Sequence, residues 1–242
     1  MRNIIETYMM KNGFSIWQPK VALFDMDGVL YDSMPNHSRS WEAAMKLYHI
    51  NISKQDAYLY EGMRGVEVIK KLFRDQRGEI IDDERAEEMY RTKSQYYAGC
   101  DIAPVIPHVK DVQQTMKNFG MKIGVVTGSG QATLLDRILQ DFQGLVDEDV
   151  IVTANNVTRG KPHPEPYIVG MDMAGCRPWE TIVVENAPLG VRASNAARCF
   201  TIAVNTGPLH DRTLKREGAD LIVHSMRDLN LLLPLLLTPT EG

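Results

Sequence analysis

The sequence predicts an α/β protein: a doubly wound, mainly parallel sheet whose first strand is separated from the others by an all-helical insert. Two observations predict it. Short runs rich in β-branched residues alternate with helix-length stretches, the pattern of a parallel sheet covered on both faces. A long segment after the first such run carries helical spacing and no convincing strand. Composition agrees. The chain has 242 residues, 44% hydrophobic and 24% charged, which allows one large domain or two unequal ones.

The elements follow in chain order. Residues 1–19 read as an N-terminal extension with one short amphipathic helix. Residues 21–24, VALF, are an apolar run ended by acids and Gly28, hence a buried strand. Residues 33–48 predict a helix, with Asp32 and Ser33 as its caps, an early Pro35, and Trp41, Met45 and Tyr48 at helical spacing. Residues 54–99 continue in amphipathic helical patterns, and the APVIP segment at 103–107 is a proline-marked connector. Strands are then expected at 123–127, 150–153, 181–184, 200–204 and 220–223. The apolar tract 229–237 predicts a final core helix broken at Pro234. The expected division is an extension at 1–19, an α/β domain at 20–32 and 103–242, and a helical domain at 33–102.

Charge and composition exclude several classes. A net charge of −4 supplies no basic footprint for nucleic acid. Cys100, Cys176 and Cys199 are too few and too scattered for a disulfide framework or a zinc signature. The N-terminus does not read as a signal peptide, and the most apolar tract is far short of the ~20 residues needed to cross a bilayer. The expectation is a cytoplasmic monomer with neither a nucleic-acid nor a membrane partner.

Four stations carry chemistry, each at the expected carboxyl end of a strand, where α/β sheets keep their active sites. FDMDGVL at 24–30 places Asp25 and Asp27 two residues apart. Two close carboxylates repel unless a cation or proton intervenes, and Mg²⁺ is a natural neutraliser. A carboxylate can also attack phosphorus, and a second acid on a turn can protonate a leaving oxygen or deprotonate water. An isolated Asp-x-Asp is equally at home as a turn cap, so the flanking strand and glycine turn matter. Thr127, Gly128 and Ser129 offer a hydroxyl and backbone amides to an anion. Lys161, in a loop stiffened by Pro162 and Pro164, can neutralise a carboxylate and a transferring phosphoryl group. Glu185 and Asn186 add an acid and a neutral oxygen suited to Mg²⁺ or its waters.

Together the four stations resemble the haloacid dehalogenase superfamily of phosphotransferases, across about residues 20–225. The resemblance implies a Rossmann-like core, and the insert resembles the helical cap of the β-phosphoglucomutase-like subgroup. Within that subgroup, DSMPNH at 32–37, YEG at 60–62, VVTGSGQ at 125–131, GKPHPEPY at 160–167 and ENAPLGV at 185–191 look most like inorganic pyrophosphatases. The resemblance implies Asp25 as nucleophile and Mg²⁺ ligand. Asp27 would be the general acid/base, with its carbonyl on the metal. Thr127 and the Gly128 amide would hold the phosphoryl group, and Lys161 would balance charge. Glu185 would orient metal-bound water, and Asn186 would bind the metal directly.

Two departures bear on the substrate. Many relatives have Asp where Asn186 stands, so this metal shell carries one negative charge fewer. In the sugar-phosphate mutases the cap loop resembles a basic clamp, with Lys at the place of Glu61 and Arg at that of Gly65. A carboxylate facing a sugar phosphate ~4 Å away would cost about 4 kcal/mol at an effective dielectric of 20. The expectation is therefore that Glu61 closes onto a Mg²⁺ already chelated by pyrophosphate. Lys93 would neutralise the distal phosphate, and His37 would pair with Asp27 or the bridging oxygen. Linkers near 31–34 and 100–107 would be the hinges. The expected activity is hydrolysis of diphosphate to two phosphates through an aspartyl-phosphate. A β-phosphoglucomutase or a small sugar-phosphate phosphatase is the alternative.

Overall fold

The computed structural model describes residues 1–129 and 132–238; Gly130 and Gln131, the end of the VVTGSGQ motif, lie outside them. Every predicted strand forms, within a residue or two of its expected limits: β1 Val21–Phe24, β2 Lys122–Val126, β3 Ile151–Val152, β4 Thr181–Glu185, β5 Phe200–Val204 and β6 Leu221–Val223. They make one sheet in the order β3-β2-β1-β4-β5-β6, with every pairing parallel. β1 is central. Sequence order departs from it in both directions, so a crevice opens at its carboxyl end. In register, Phe24 lies opposite Val125 and Val184. The residues that follow each strand are thereby brought side by side.

The pleat sorts the strand side chains. Ala22, Phe24, Ile123, Val125, Ile182 and Val184 enter one apolar cluster, and Val21, Leu23, Val126 and Val183 enter another. Burial on both faces explains why these strands read as continuous apolar runs. The helices, in chain order among the described residues, are α1 Arg2–Asn12, α2 Met34–Leu47, α3 Lys54–Leu59, α4 Gly65–Arg77, α5 Asp83–Ala98, α6 Val109–Asn118, α7 Ala132–Asp141, α8 Glu165–Ala174, α9 Pro188–Ala196, α10 Asp211–Glu217 and α11 Met226–Leu237.

The expected extension contains α1, and it is bound into the sheet domain. Ile5 and Tyr8 join the larger cluster, and the Tyr8 hydroxyl lies 2.8 Å and 3.0 Å from the carbonyls of Arg198 and Pro178. The expected break at Pro234 does not occur. α11 runs on to Leu237, and the Thr238 amide donates to the Pro234 carbonyl. A proline inside a helix costs about 3 kcal/mol. Leu229, Leu233 and Leu236 are all fully buried, and each contributes about 1.5–3 kcal/mol, so packing outweighs the lost bond.

Helices α2 to α5 surround their own apolar cluster, which includes Trp41, Met45, Val68, Ile69, Phe73 and Met89. The two linkers to this helical unit run alongside each other. The Asp32 amide donates to the Pro104 carbonyl and the Ile106 amide to the Leu30 carbonyl, both at 2.9 Å. A small cluster of Met34, Tyr58 and Leu209 joins the helical unit to the loop after β5. Gly207 is needed there, because a Cβ at that position would lie 2.5 Å from the Tyr58 ring. The expected capping of α2 by Asp32 and Ser33 is also corrected. The helix has no side-chain cap, because the Asp32 amide is engaged with the linker and the Ser33 hydroxyl turns toward Asp27.

Candidate active site

The crevice at the end of β1 gathers all four stations. Asp25 directly follows β1, and its amide donates to the Val184 carbonyl, which holds it in sheet register. The chain then turns tightly through Gly28 at φ 80°, where a Cβ would overlap the Asn186 side chain at 2.0 Å. Gly28 is thus required by both its backbone and its neighbour. Asp27 sits on this turn, and one of its oxygens accepts from Ser33 Oγ at 2.5 Å and faces His37 Nε2 at 3.3 Å.

Lys161 is the electrostatic centre. Its buried ammonium donates to Asp25 Oδ1 at 2.5 Å and to Glu185 Oε1 at 2.7 Å. Burial alone would push this ammonium down, but Asp25 and Glu185 hold it well above its ordinary value. Burial pushes the Asp25 carboxyl well up, with Lys161 opposing and Glu185 and Asp27 adding to the push. Asp27 ends up below its ordinary value: burial would raise it, but His37, Ser33 and Lys93 outweigh burial.

Glu185 is fully occupied by protein donors. Besides Lys161, its Oε1 accepts from the Tyr167 hydroxyl at 2.7 Å, and its Oε2 accepts from the amides of Asn186 and Ala187. Gly190 makes the space, since a Cβ there would lie 1.7 Å from Glu185 Oε1. In the sequence Tyr167 is simply the last residue of the 160–167 motif. Its burial beside Lys161 depends on how α8 packs, which no local pattern shows.

Thr127 follows β2. Its amide donates to the Val152 carbonyl, and its hydroxyl accepts from the Ser129 amide at 3.1 Å. Gly128 is exposed beside it, and Ser129 is half-buried. Thr127 and Asp25 leave neighbouring strands, so hydroxyl, nucleophile candidate and ammonium share one pocket floor.

The helical unit supplies a lid. The Glu61–Gly62 turn reaches the core, and at Gly62, φ 86°, an added Cβ would lie 3.4 Å from the Lys161 stem. Glu61 is half-buried and has no hydrogen-bond partner among the described residues. Burial raises its carboxyl, with His37, Asp27, Lys93 and Lys161 all close enough to act on it. Lys93 is 4% exposed, caged by the rings of Tyr97, Trp41 and Tyr90 at 4.9, 5.4 and 5.9 Å, and bonded to His37 Nδ1 at 2.9 Å. It therefore stands behind His37 as seen from Asp27. Burial pushes its ammonium down. A Lys93 ammonium makes Nδ1 an acceptor, which leaves Nε2–H to donate to Asp27. Tyr97 also stacks on His37, at 4.3 Å. Tyr90, Lys93 and Tyr97 share one face of α5, a spacing visible in the sequence but not interpreted there.

The donor set suits a hard divalent cation. Among the described residues no three His, Cys, Asp or Glu side chains converge as a metal site. The oxygens here are mixed instead: two carboxylates, a backbone carbonyl and the Asn186 amide. Asn186 Oδ1 is buried and has no hydrogen-bond partner among the described residues, a costly state that a bound cation would relieve. Three carboxyl groups, those of Asp25, Asp27 and Glu185, gather around the one buried Lys161 ammonium, which points the same way. A cavity of about 360 Å³ opens at the seam between lid and core, lined by Met63, Arg64, Lys71, Arg74 and Lys161 among others. No helix among the described residues is long and apolar enough to cross a membrane.

Comparison with known proteins agrees with this geometry. The haloacid dehalogenase-like hydrolase family model matches residues 22–204. A solved structure from Bacteroides vulgatus, provisionally named a β-phosphoglucomutase, is 43% identical, covers 97% of this chain and 95% of its own, and superposes with a TM-score of 0.90. Hexitol phosphatase A of Escherichia coli is 29% identical over 88% of this chain and 94% of its own. Pyrophosphatase PpaX of Oceanobacillus iheyensis is 26% identical over 87% and 94%.

Proposed function

The chain belongs to the haloacid dehalogenase-like hydrolases, and from that premise we propose that it is a Mg²⁺-dependent inorganic pyrophosphatase. The observation that carries the substrate choice is Glu61, an unbonded carboxylate lowered over Asp27 and Lys161 by the lid. An approaching sugar phosphate would meet a like charge there. A diphosphate that brings its own cation would meet a ligand.

Asp25, the Asp27 carbonyl and Asn186 would hold the Mg²⁺, with Glu61 completing the shell on closure. The bound cation supplies charge neutralisation for the phosphoryl oxygens. The Asp25 carboxylate attacks one phosphorus and the bridging P–O bond breaks, the other half leaving as hydrogen phosphate with the proton the diphosphate brought. Thr127, the Gly128 amide and Lys161 hold the transferring group's oxygens. The ionised Asp27 then takes a proton from water, which attacks the aspartyl-phosphate and frees Asp25. The Lys93–His37 pair orients Asp27 for this proton transfer. Glu185 keeps Lys161 in place, and the reaction needs no other partner and no oligomer.

The 43% identity to the provisionally named Bacteroides vulgatus β-phosphoglucomutase favours a second reading, in which a sugar hydroxyl replaces water as phosphoryl acceptor. Phosphate release from pyrophosphate, hexose phosphates and acetyl phosphate, with and without Mg²⁺, separates the two. Pyrophosphate is expected to have the highest kcat/KM. A hexose phosphate ahead by about tenfold, roughly 1.4 kcal/mol, would give the site to sugar-phosphate chemistry.

A further inference from the structure

Arg137 lies on α7, the helix that follows the Thr127–Gly128–Ser129 loop, and its contacts converge on the lid's two linkers. Its Nη2 donates to the Ala103 carbonyl at 2.5 Å, on the returning linker. Its guanidinium lies 4.0 Å from the ring centroid of Tyr31, on the outgoing linker. Its Nε donates to Asp141 Oδ2 at 3.1 Å, and the Tyr31 hydroxyl donates to that same oxygen at 3.0 Å. Tyr31 is 2% exposed and its ring packs edge-on against Phe142. Its backbone bridges to both Asp27 and Val105. The charge of Arg137 also acts on Tyr97, the ring stacked on His37. One side chain thus touches both linkers and neighbours the aromatic wall behind the candidate acid/base.

We infer that Arg137 is a positioning residue that locks the two lid linkers to the helix of the phosphate loop, so that phosphoryl binding and lid closure act as one unit. The assignment rests on the lid-closing phosphohydrolase reading above. Its physical content is the planar fork: a guanidinium can stack on Tyr31 while donating in two fixed directions, which a lysine ammonium cannot do. None of its partners is a group that would touch substrate.

The test compares wild type with Arg137→Ala, Arg137→Lys and Tyr31→Phe, all as the full chain. Hydrogen exchange is followed in peptides covering 30–33 and 103–107, with no ligand present. Arg137→Ala is expected to speed exchange in both linkers by about tenfold or more while β1 and β4 stay protected. Tyr31→Phe keeps the stacked ring and is expected to give a smaller change in the same peptides. Turnover is then read on whichever phosphorylated substrate the wild type prefers. Arg137→Ala is expected to lower kcat by about tenfold with little change in KM, and Arg137→Lys to recover less than half of that loss. Linker exchange unchanged in Arg137→Ala overturns the assignment, as does a folded variant with full kcat. The exchange readings involve no substrate, so failure of the pyrophosphatase reading and failure of the latch are seen separately.

Discussion

The two halves of the site are built differently. The floor, from Asp25, Thr127, Lys161 and Glu185, grows out of adjacent strands of a sheet buried on both faces. Each of its groups is fixed more than once: Glu185 alone takes four protein donors. The lid side, from Glu61, His37 and Lys93, hangs on two linkers and meets the floor through few contacts, among them Gly62 on the Lys161 stem and Gly207 on Tyr58. An over-determined floor suits charge transfer that must not shift by an ångström, whereas a hinged lid can vary its ligands without unsettling it. Under the proposed function, the chemistry would belong to the sheet and the choice of substrate to the lid.

The sharpest break of that division is Asp25→Asn. Turnover of every phosphorylated substrate should fall by about 10³-fold or more, while circular dichroism and melting stay close to wild type. A loss confined to one substrate would make Asp25 a specificity residue instead. Lys161→Met comes next. Activity should drop by about 10²–10³-fold, and stability by about 3–5 kcal/mol in denaturant titration, because Asp25 and Glu185 are left buried without their cation. An unchanged midpoint would mean that the floor is less coupled than its geometry indicates.

Glu61→Gln sharpens the comparison from the other side. Pyrophosphate turnover should fall by about 10–100-fold and need more Mg²⁺ for half-saturation, while hexose phosphates gain or stay level. An equal loss on all substrates would move Glu61 from selection to chemistry. The smallest effect is expected of Lys93→Met, about tenfold in kcat. It should come with a shifted pH–rate profile, because His37 loses the donor that fixes its tautomer. A change in KM alone would instead return Lys93 to direct substrate contact.

Much of the fold was legible because a doubly buried parallel strand is a contiguous apolar run, and every such run proved to be a strand of this sheet. Most of the floor was legible for the same reason, since Asp25 and Thr127 directly follow strands and Glu185 ends one, whereas Lys161 stands in the longer loop between β3 and α8. Two expectations failed where a distant partner overrode a local rule. Ser33 gives its hydroxyl to Asp27 and not to the helix it precedes. Pro234 is carried inside a helix by buried leucines on either side of it. The aromatic cage around Lys93 is a further tertiary feature, one that no local rule announced.

What the sequence determined by itself was periodicity and adjacency: which segments are strands, which is the helical insert, and which acids, hydroxyl and lysine lie at strand ends. These are short-range properties of the chain. Only the tertiary structure decided that Tyr167 shares Glu185 with Lys161, that Lys93 bonds to His37, and that Arg137 touches both linkers at once. Those contacts join residues from 18 to more than 100 positions apart, and only packing brings such positions within hydrogen-bond range.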